Sequence, residues 1–192
     1  MKVLIIYAHP HTSGFCPIIL SRLKEELDDR HIEFEVLDLY RMNYNPVLRE
    51  QEHYTSGHKK VSEENLAIQK QIKETDKLIF IFPIWWEGIP AILKGFFDRV
   101  FTRGFAFRFT EKGMARKLLK GKQALVLFTK GSPRIYDVLI NRRASKNVQK
   151  YILGFCGIKS KAFGIYKASE INEKQVNQVY KILHKGLKYL LN

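Results

Sequence analysis

This chain has little that would mark a secreted, metal-binding or membrane-embedded protein. Only two cysteines, Cys16 and Cys156, occur in 192 residues. Neither belongs to a Cys-x-x-Cys pair, so a disulfide scaffold is excluded and two free thiols are expected. Six prolines and no low-complexity tract leave no linker to separate domains, and a single domain spanning residues 1–192 is expected. The first ten residues, MKVLIIYAHP, hold one lysine and a short apolar run. That run is too short for a signal h-region or a bilayer span, which makes a cytoplasmic protein without membrane insertion the expectation. The histidines His9, His11, His31, His53, His58 and His184 do not fall at metal-ligand spacing with cysteines or carboxylates, and no metal is expected. His53 and His58 read as solvated side chains in a long loop.

Acidic residues are also scarce, with 19 Asp and Glu against 33 Lys and Arg, for a net charge of +14. Such a balance raises the question of nucleic acid. The lysines, however, are spaced along helical faces (Lys70, Lys73, Lys117, Lys120, Lys146, Lys150, Lys181, Lys185, Lys188) with no basic block and no nucleic-acid-binding motif. Solvated faces are the expectation, together with a field that attracts phosphate-bearing cofactors and no nucleic-acid partner.

What is present is an alternation of apolar runs and helical patterns. Strands are expected at Lys2–Tyr7, Glu33–Asp38, Lys77–Phe82, Gln123–Phe128 and Lys161–Ile165. Helices are expected at about Gly14–Asp29, Val61–Glu74, Ile89–Arg103, Arg142–Gly154 and Asn172–Leu191, with Asn43–Gly57 irregular. The first, third and fourth strands are near-continuous apolar runs, as in parallel sheets covered on both faces. The pattern fits an α/β flavodoxin-like three-layer sandwich: a five-stranded parallel sheet of order 2-1-3-4-5 with helices on both faces. Its switch point brings the loops after strands one, three and four to one crevice.

The third of these strands leads into the most informative stretch, Pro83-Ile84-Trp85-Trp86-Glu87-Gly88-Ile89-Pro90. The chain's only two tryptophans stand side by side in a loop at the carboxyl end of a buried strand, where open α/β sheets bind ligands. Flat side chains held between prolines suit the wall of a heteroaromatic ring and read as an isoalloxazine-binding loop. Packing at an interface is the competing reading. Glu87 reads as solvent-facing. The first loop, Ala8 to Cys16, is neither Gly-x-Gly-x-x-Gly nor a Walker loop. His9 and Ser13 could bond phosphate oxygens at a helix N-terminus, or Thr12 or Ser13 could simply cap that helix. Cys16 lies in the same turn, where a helix dipole could lower its pKa, although a small packing residue is the better reading. The last loop offers Gly131, Ser132 and Tyr136. A hydroxyl donor at a flavin pyrimidine edge would favour the reduced form.

Together these residues resemble the NAD(P)H:quinone oxidoreductase family, typified by DT-diaphorase. The likeness rests on Asp38-Leu39-Tyr40-Arg41-Met42-Asn43-Tyr44-Asn45-Pro46, on Phe82–Phe101, on Gly104-Phe105-Ala106-Phe107-Arg108-Phe109 and on Leu153-Gly154-Phe155-Cys156-Gly157, and runs collinearly over roughly residues 3–168. The resemblance implies a flavin, FAD with FMN as the alternative, and NADPH or NADH as co-substrate. It implies two-electron (hydride) reduction of a quinone-like acceptor by a ping-pong route in a homodimer. Position by position, His9, Ser13, Phe15 and Cys16 fall at the flavin phosphates. Pro83, Ile84, Trp85 and Trp86 fall at the ring, and Thr129, Gly131 and Ser132 at its pyrimidine edge. Tyr136 and Arg142 take the catalytic positions, and Phe107 and Phe109 the substrate pocket. Cys16 replaces an Asn common in the family, Lys130 precedes a single Gly in a shortened loop, and Arg142 stands where vertebrate members have His. The rival readings are a flavin-binding regulatory subunit of an ion-efflux system, an electron-transfer flavodoxin and a nucleic-acid-binding protein.

Overall fold

The computed structural model describes residues 1–53, 60–139 and 142–191. Five parallel strands, β1 (Lys2–Tyr7), β2 (Glu33–Asp38), β3 (Lys77–Pro83), β6 (Gln123–Lys130) and β7 (Lys159–Tyr166), form one sheet of order β2-β1-β3-β6-β7. This is the expected 2-1-3-4-5 order, because β4 (Phe107–Phe109) and β5 (Ala115–Lys117) form a separate antiparallel ribbon.

Alternation along the central strands divides the core. Val3, Ile5, Tyr7, Ile79, Ile81, Leu125 and Leu127 face α1 (Phe15–Asp29) and α7 (Glu173–Leu191). Leu4, Ile6, Leu78, Phe80, Phe82, Val126 and Phe128 face α2 (Glu63–Glu74), α3 (Ala91–Val100) and the segment before β7. Burial on both faces is why these strands read as unbroken apolar runs. Gly164 on β7 leaves room for the Phe128 ring, whose atoms would lie 2.3 Å from a Cβ there.

Several elements depart from expectation. α3 starts at Ala91 rather than Ile89, because Pro90 is its N-cap and cannot donate within a helix. The helix expected over Arg142–Gly154 is three pieces: α5 (Arg143–Lys146), a π-helical stretch (Asn147–Leu153) and α6 (Gly154–Cys156). α4 (Arg134–Leu139) occupies what reads in sequence as a loop, and β7 extends past both expected ends. Part of the Asn43–Gly57 loop and His58 lie outside the described residues.

The segment after β2 is fastened onto α3. Glu52 accepts from Arg99 at 2.8–3.2 Å, and both side chains are buried (7% and 6% exposed). Arg99 also donates to the Asn45 carbonyl, and Tyr44 donates to Asn65 at 2.9 Å. Gly95 meets this segment closely, since a Cβ there would sit 2.1 Å from the Pro46 carbonyl oxygen.

Among the described residues, no helix is long and apolar enough to cross a membrane, and no group of three His, Cys, Asp or Glu side chains could hold a metal ion.

Candidate cofactor-binding site

Three loops meet at the carboxyl end of the sheet. Main-chain bonds knit their bases: the Ala8 N–H donates to the Ile81 carbonyl at 2.9 Å, and the Ile84 N–H to the Thr129 carbonyl at 2.7 Å. Cys16 Sγ and Thr129 Oγ1 lie 3.4 Å apart, joining the first loop to the last. Burial pushes the Cys16 thiol up to about 12, so the neighbouring helix end does not produce a thiolate and the packing reading holds.

The first loop leaves the start of α1 open. Its N-cap is Gly14, with a φ of 108°, and no side chain caps it. Thr12 and Ser13 therefore do not take the capping role that their position allows, and no acidic residue occupies the first turn. Phe15 and Cys16 point their side chains into the core, so what they offer an anion is main-chain N–H. His9 Nδ1 lies 3.0 Å from the His11 carbonyl and 3.2 Å from the His11 N–H, contacts that hold the ring in the loop in either tautomer; Nε2 is the donor when Nδ1 accepts. Beside this loop lies a cleft of about 920 Å³ lined by His9, His11, Thr12, Lys24, Tyr40 and Arg41 among others, with Asp28 and Asp38 on its walls.

The second loop is a tight turn. Trp85 and Gly88 exchange N–H···O bonds of 3.1 and 2.8 Å. The two residues between them, Trp86 and Glu87, both have positive φ, 52° and 57°. This is type I′ geometry, which ordinarily calls on Asn or Gly. Trp86 is fully exposed and Trp85 is 43% exposed, while Pro83 and Ile84 are buried.

Glu87 is not the solvent-facing residue it reads as in sequence. Its carboxylate lies 2.6 Å from Lys130 Nζ, which is only 3% exposed. Lys130 also donates to Asp137 at 2.9 Å, and Tyr166 donates to the other Asp137 oxygen at 2.7 Å. Burial alone would lower the lysine's pKa, but bonds to Glu87 and Asp137 outweigh it and hold the value above the ordinary one, so Lys130 is charged. For Tyr166, burial and then the Asp137 carboxylate keep the phenol protonated. Lys130 Nζ also stands 5.5 Å from the Tyr136 ring centre. Sequence reasoning missed this network because a lysine at a strand end reads as solvated. The only available signal was Lys130 standing out of place beside a single glycine.

The last loop holds an orphan. Ser132 Oγ is buried and has no hydrogen-bond partner. Such a group is costly unless something bonds it. Tyr136 is 47% exposed on α4 rather than on a loop. Arg142 opens α5 with a φ of 53°, and its N–H donates to the Asp137 carbonyl at 2.8 Å.

Phe107 and Phe109 are not brought to these loops within one chain. They lie on the β4–β5 ribbon, edge to face with one another at 5.6 Å, with Phe107 also edge to face with Phe155 at 5.0 Å. That ribbon leads into Leu119, whose N–H donates to the Cys156 carbonyl at 3.0 Å, at the amino end of β6 and β7. Phe105, two residues before Phe107, is buried at 6% exposure against Phe101.

The family described as Flavodoxin-like fold matches residues 1–186 of the chain. An uncharacterized NAD(P)H oxidoreductase of Haemophilus influenzae is 31% identical, over 86% of this chain and 83% of that protein. Human ribosyldihydronicotinamide dehydrogenase [quinone] is 34% identical, over 91% of this chain and 84% of that protein. A solved NAD(P)H:quinone oxidoreductase from Methanothermobacter marburgensis superposes with a TM-score of 0.85 at 26% identity, covering 98% of this chain and 96% of that one.

Proposed function

The chain belongs to the flavodoxin-like fold family and to its NAD(P)H:quinone oxidoreductase branch, and from that membership we propose that it is a flavin-dependent NAD(P)H:quinone oxidoreductase. The observation that carries this reading is Trp86, a large aromatic held fully exposed at positive φ beside a second exposed tryptophan. An isolated chain gains nothing from that arrangement, whereas a ring stacked there does.

The residues present fit a flavin. The open α1 N-terminus, Ser13 and His9 suit its phosphate. Trp85 and Trp86, held between Pro83 and Pro90, suit its ring, with Ile84 and Thr129 fixing the loop base. The unpartnered Ser132 hydroxyl and the Gly131 main chain suit its polar edge. When bound, the flavin supplies the two-electron chemistry, taking hydride from NADPH or NADH and passing it to the acceptor.

This chain's own residues orient and tune. Tyr136 places a hydroxyl near the last loop, where a donor stabilises negative charge on the reduced cofactor. Arg142 adds a fixed positive charge at the same end of the sheet. No side chain acts as a nucleophile. The two co-substrates use one slot in turn, which gives ping-pong kinetics. FAD is favoured over FMN because the Asp38–Pro46 segment resembles the FAD-using branch of the family.

Because Phe107 and Phe109 sit at the amino end of the sheet, they line a substrate slot only if a second copy presents them. A homodimer follows from this reading. Titrating flavin-free protein with FAD and with FMN tests the assignment, since both tryptophans lie in the ring loop. Quenching of their fluorescence with one flavin bound per chain supports it, and unchanged fluorescence contradicts it.

A further inference from the structure

β7 ends the sheet, and its outer edge forms the floor of a second cavity of about 810 Å³. α5 and the π-helical stretch wall it on one side (Arg142, Ser145, Gln149) and α7 on the other (Gln175, Gln178, Lys181). Six cations line it: Arg134, Arg142, Lys167, Lys174, Lys181 and Lys185. Among the described residues, no carboxylate does. The buried Asp137 nearby is taken by Lys130 and Tyr166. Lysines that in sequence read as scattered along α7 are thus gathered with two arginines around one edge.

Two details mark the edge as built for main-chain pairing. The Lys159 N–H donates to the Lys122 carbonyl, on the β6 side, while the Ser160 carbonyl accepts from Gln149 at 3.2 Å, on the outer side. Alternation along a parallel strand then turns the N–H and C=O groups of Ala162 and Gly164 outward. Both residues line the cavity. In addition, Gln175 is 7% exposed, and its Oε1 has no partner although its Nε2 donates to the Lys167 carbonyl at 3.3 Å. An N–H donor from an occupant would satisfy that oxygen.

We propose that the β7 edge is a docking groove for an extended acidic polypeptide segment, which adds as a sixth strand beside Ala162 and Gly164. The segment's carboxylates meet the cations that line the groove, and its main-chain N–H groups donate to the outward Ala162 and Gly164 carbonyls and to Gln175 Oε1. Nucleic acid shares the charge but not the fit. Phe128 is buried and packed edge-on to Tyr166 at 5.9 Å, the Tyr166 hydroxyl is bound to Asp137, and Phe163, the third aromatic of the lining, packs against the core on the α7 face, so none of the three rings is a free stacking platform.

The test uses a fluorescein-labelled octapeptide of alternating Glu and Val, titrated into the flavin-loaded protein by anisotropy. Saturable binding is expected, with affinity falling at least tenfold when the peptide is N-methylated throughout. It should fall similarly in the Lys181→Glu/Lys185→Glu variant. The charge-matched Lys112→Glu/Lys120→Glu variant, altered on exposed residues elsewhere, should change it less than twofold. On peptide addition, amide exchange should slow in residues 160–166. Absence of saturable binding, equal binding of the N-methylated peptide, or equal loss in the control variant overturns the proposal. Tighter binding of an eight-nucleotide deoxythymidine strand also overturns it, in favour of a nucleic-acid surface.

Discussion

Glu87, in the turn after β3, and Lys130, at the end of β6, meet at 2.6 Å across the carboxyl end of the sheet. This bond ties the tryptophan turn to the last loop and gives Glu87 a reason to hold its positive φ. It also leaves Lys130 shared between two carboxylates, Glu87 and Asp137. Removing the cation with Lys130→Met strands both. Breaking a buried pair from one side costs about 3–5 kcal/mol. Thermal or urea unfolding should show a loss of that order, and Glu87→Gln should cost less, because Lys130 keeps Asp137. Equal stability of Lys130→Met and the parent would contradict the network's role.

Trp86 separates binding from folding. Its side chain is fully exposed, so Trp86→Gly, which also relieves the positive φ, should leave folding stability within about 1 kcal/mol. Flavin affinity should fall about tenfold or more, because stacking on an aromatic face is worth about 1–3 kcal/mol. A flavin titration of the variant checks this.

Tyr136→Phe and Arg142→Met should each slow turnover about tenfold or more while flavin stoichiometry stays the same. Stopped-flow reduction by NADPH, read beside the flavin content, distinguishes a tuning role from loss of the cofactor.

Glu52 and Arg99 give the fold a pH dependence. Burial alone would raise the Glu52 carboxyl, but Arg99's hydrogen bonds and charge outweigh it and lower the pKa. A carboxyl lowered in the folded state supports folding above its unfolded value, about 4.3. That support withdraws as pH falls through the folded value. Stability should thus decline on acidification below about pH 5. Glu52→Gln should remove this share of the acid slope and cost about 3 kcal/mol at neutral pH.

How much of this was legible in the sequence depended on what each residue had to announce. β1 and β2 have the bounds read from their apolar patterns, and Pro83 through Pro90 marked the turn at the carboxyl end of β3, since prolines and adjacent tryptophans are locally diagnostic. The ribbon of Phe107–Phe109 and Ala115–Lys117 was not legible, because Phe-Arg-Phe alternates over only three residues and Ala-Arg-Lys does not alternate at all. Its placement at the amino end, away from the three loops at the carboxyl end, is a tertiary fact. Lys130, Glu87 and Asp137 were illegible for a similar reason. Separated by 43 and 7 positions, each reads as a surface charge until the fold buries them together.

The most direct test of the account is the visible absorbance spectrum of the purified protein before and after anaerobic addition of NADPH. The account expects a flavin band that bleaches on addition, with mass spectrometry of the released cofactor giving FAD. A colourless protein that takes up neither FAD nor FMN, or a flavin band that neither NADPH nor NADH bleaches, would contradict it.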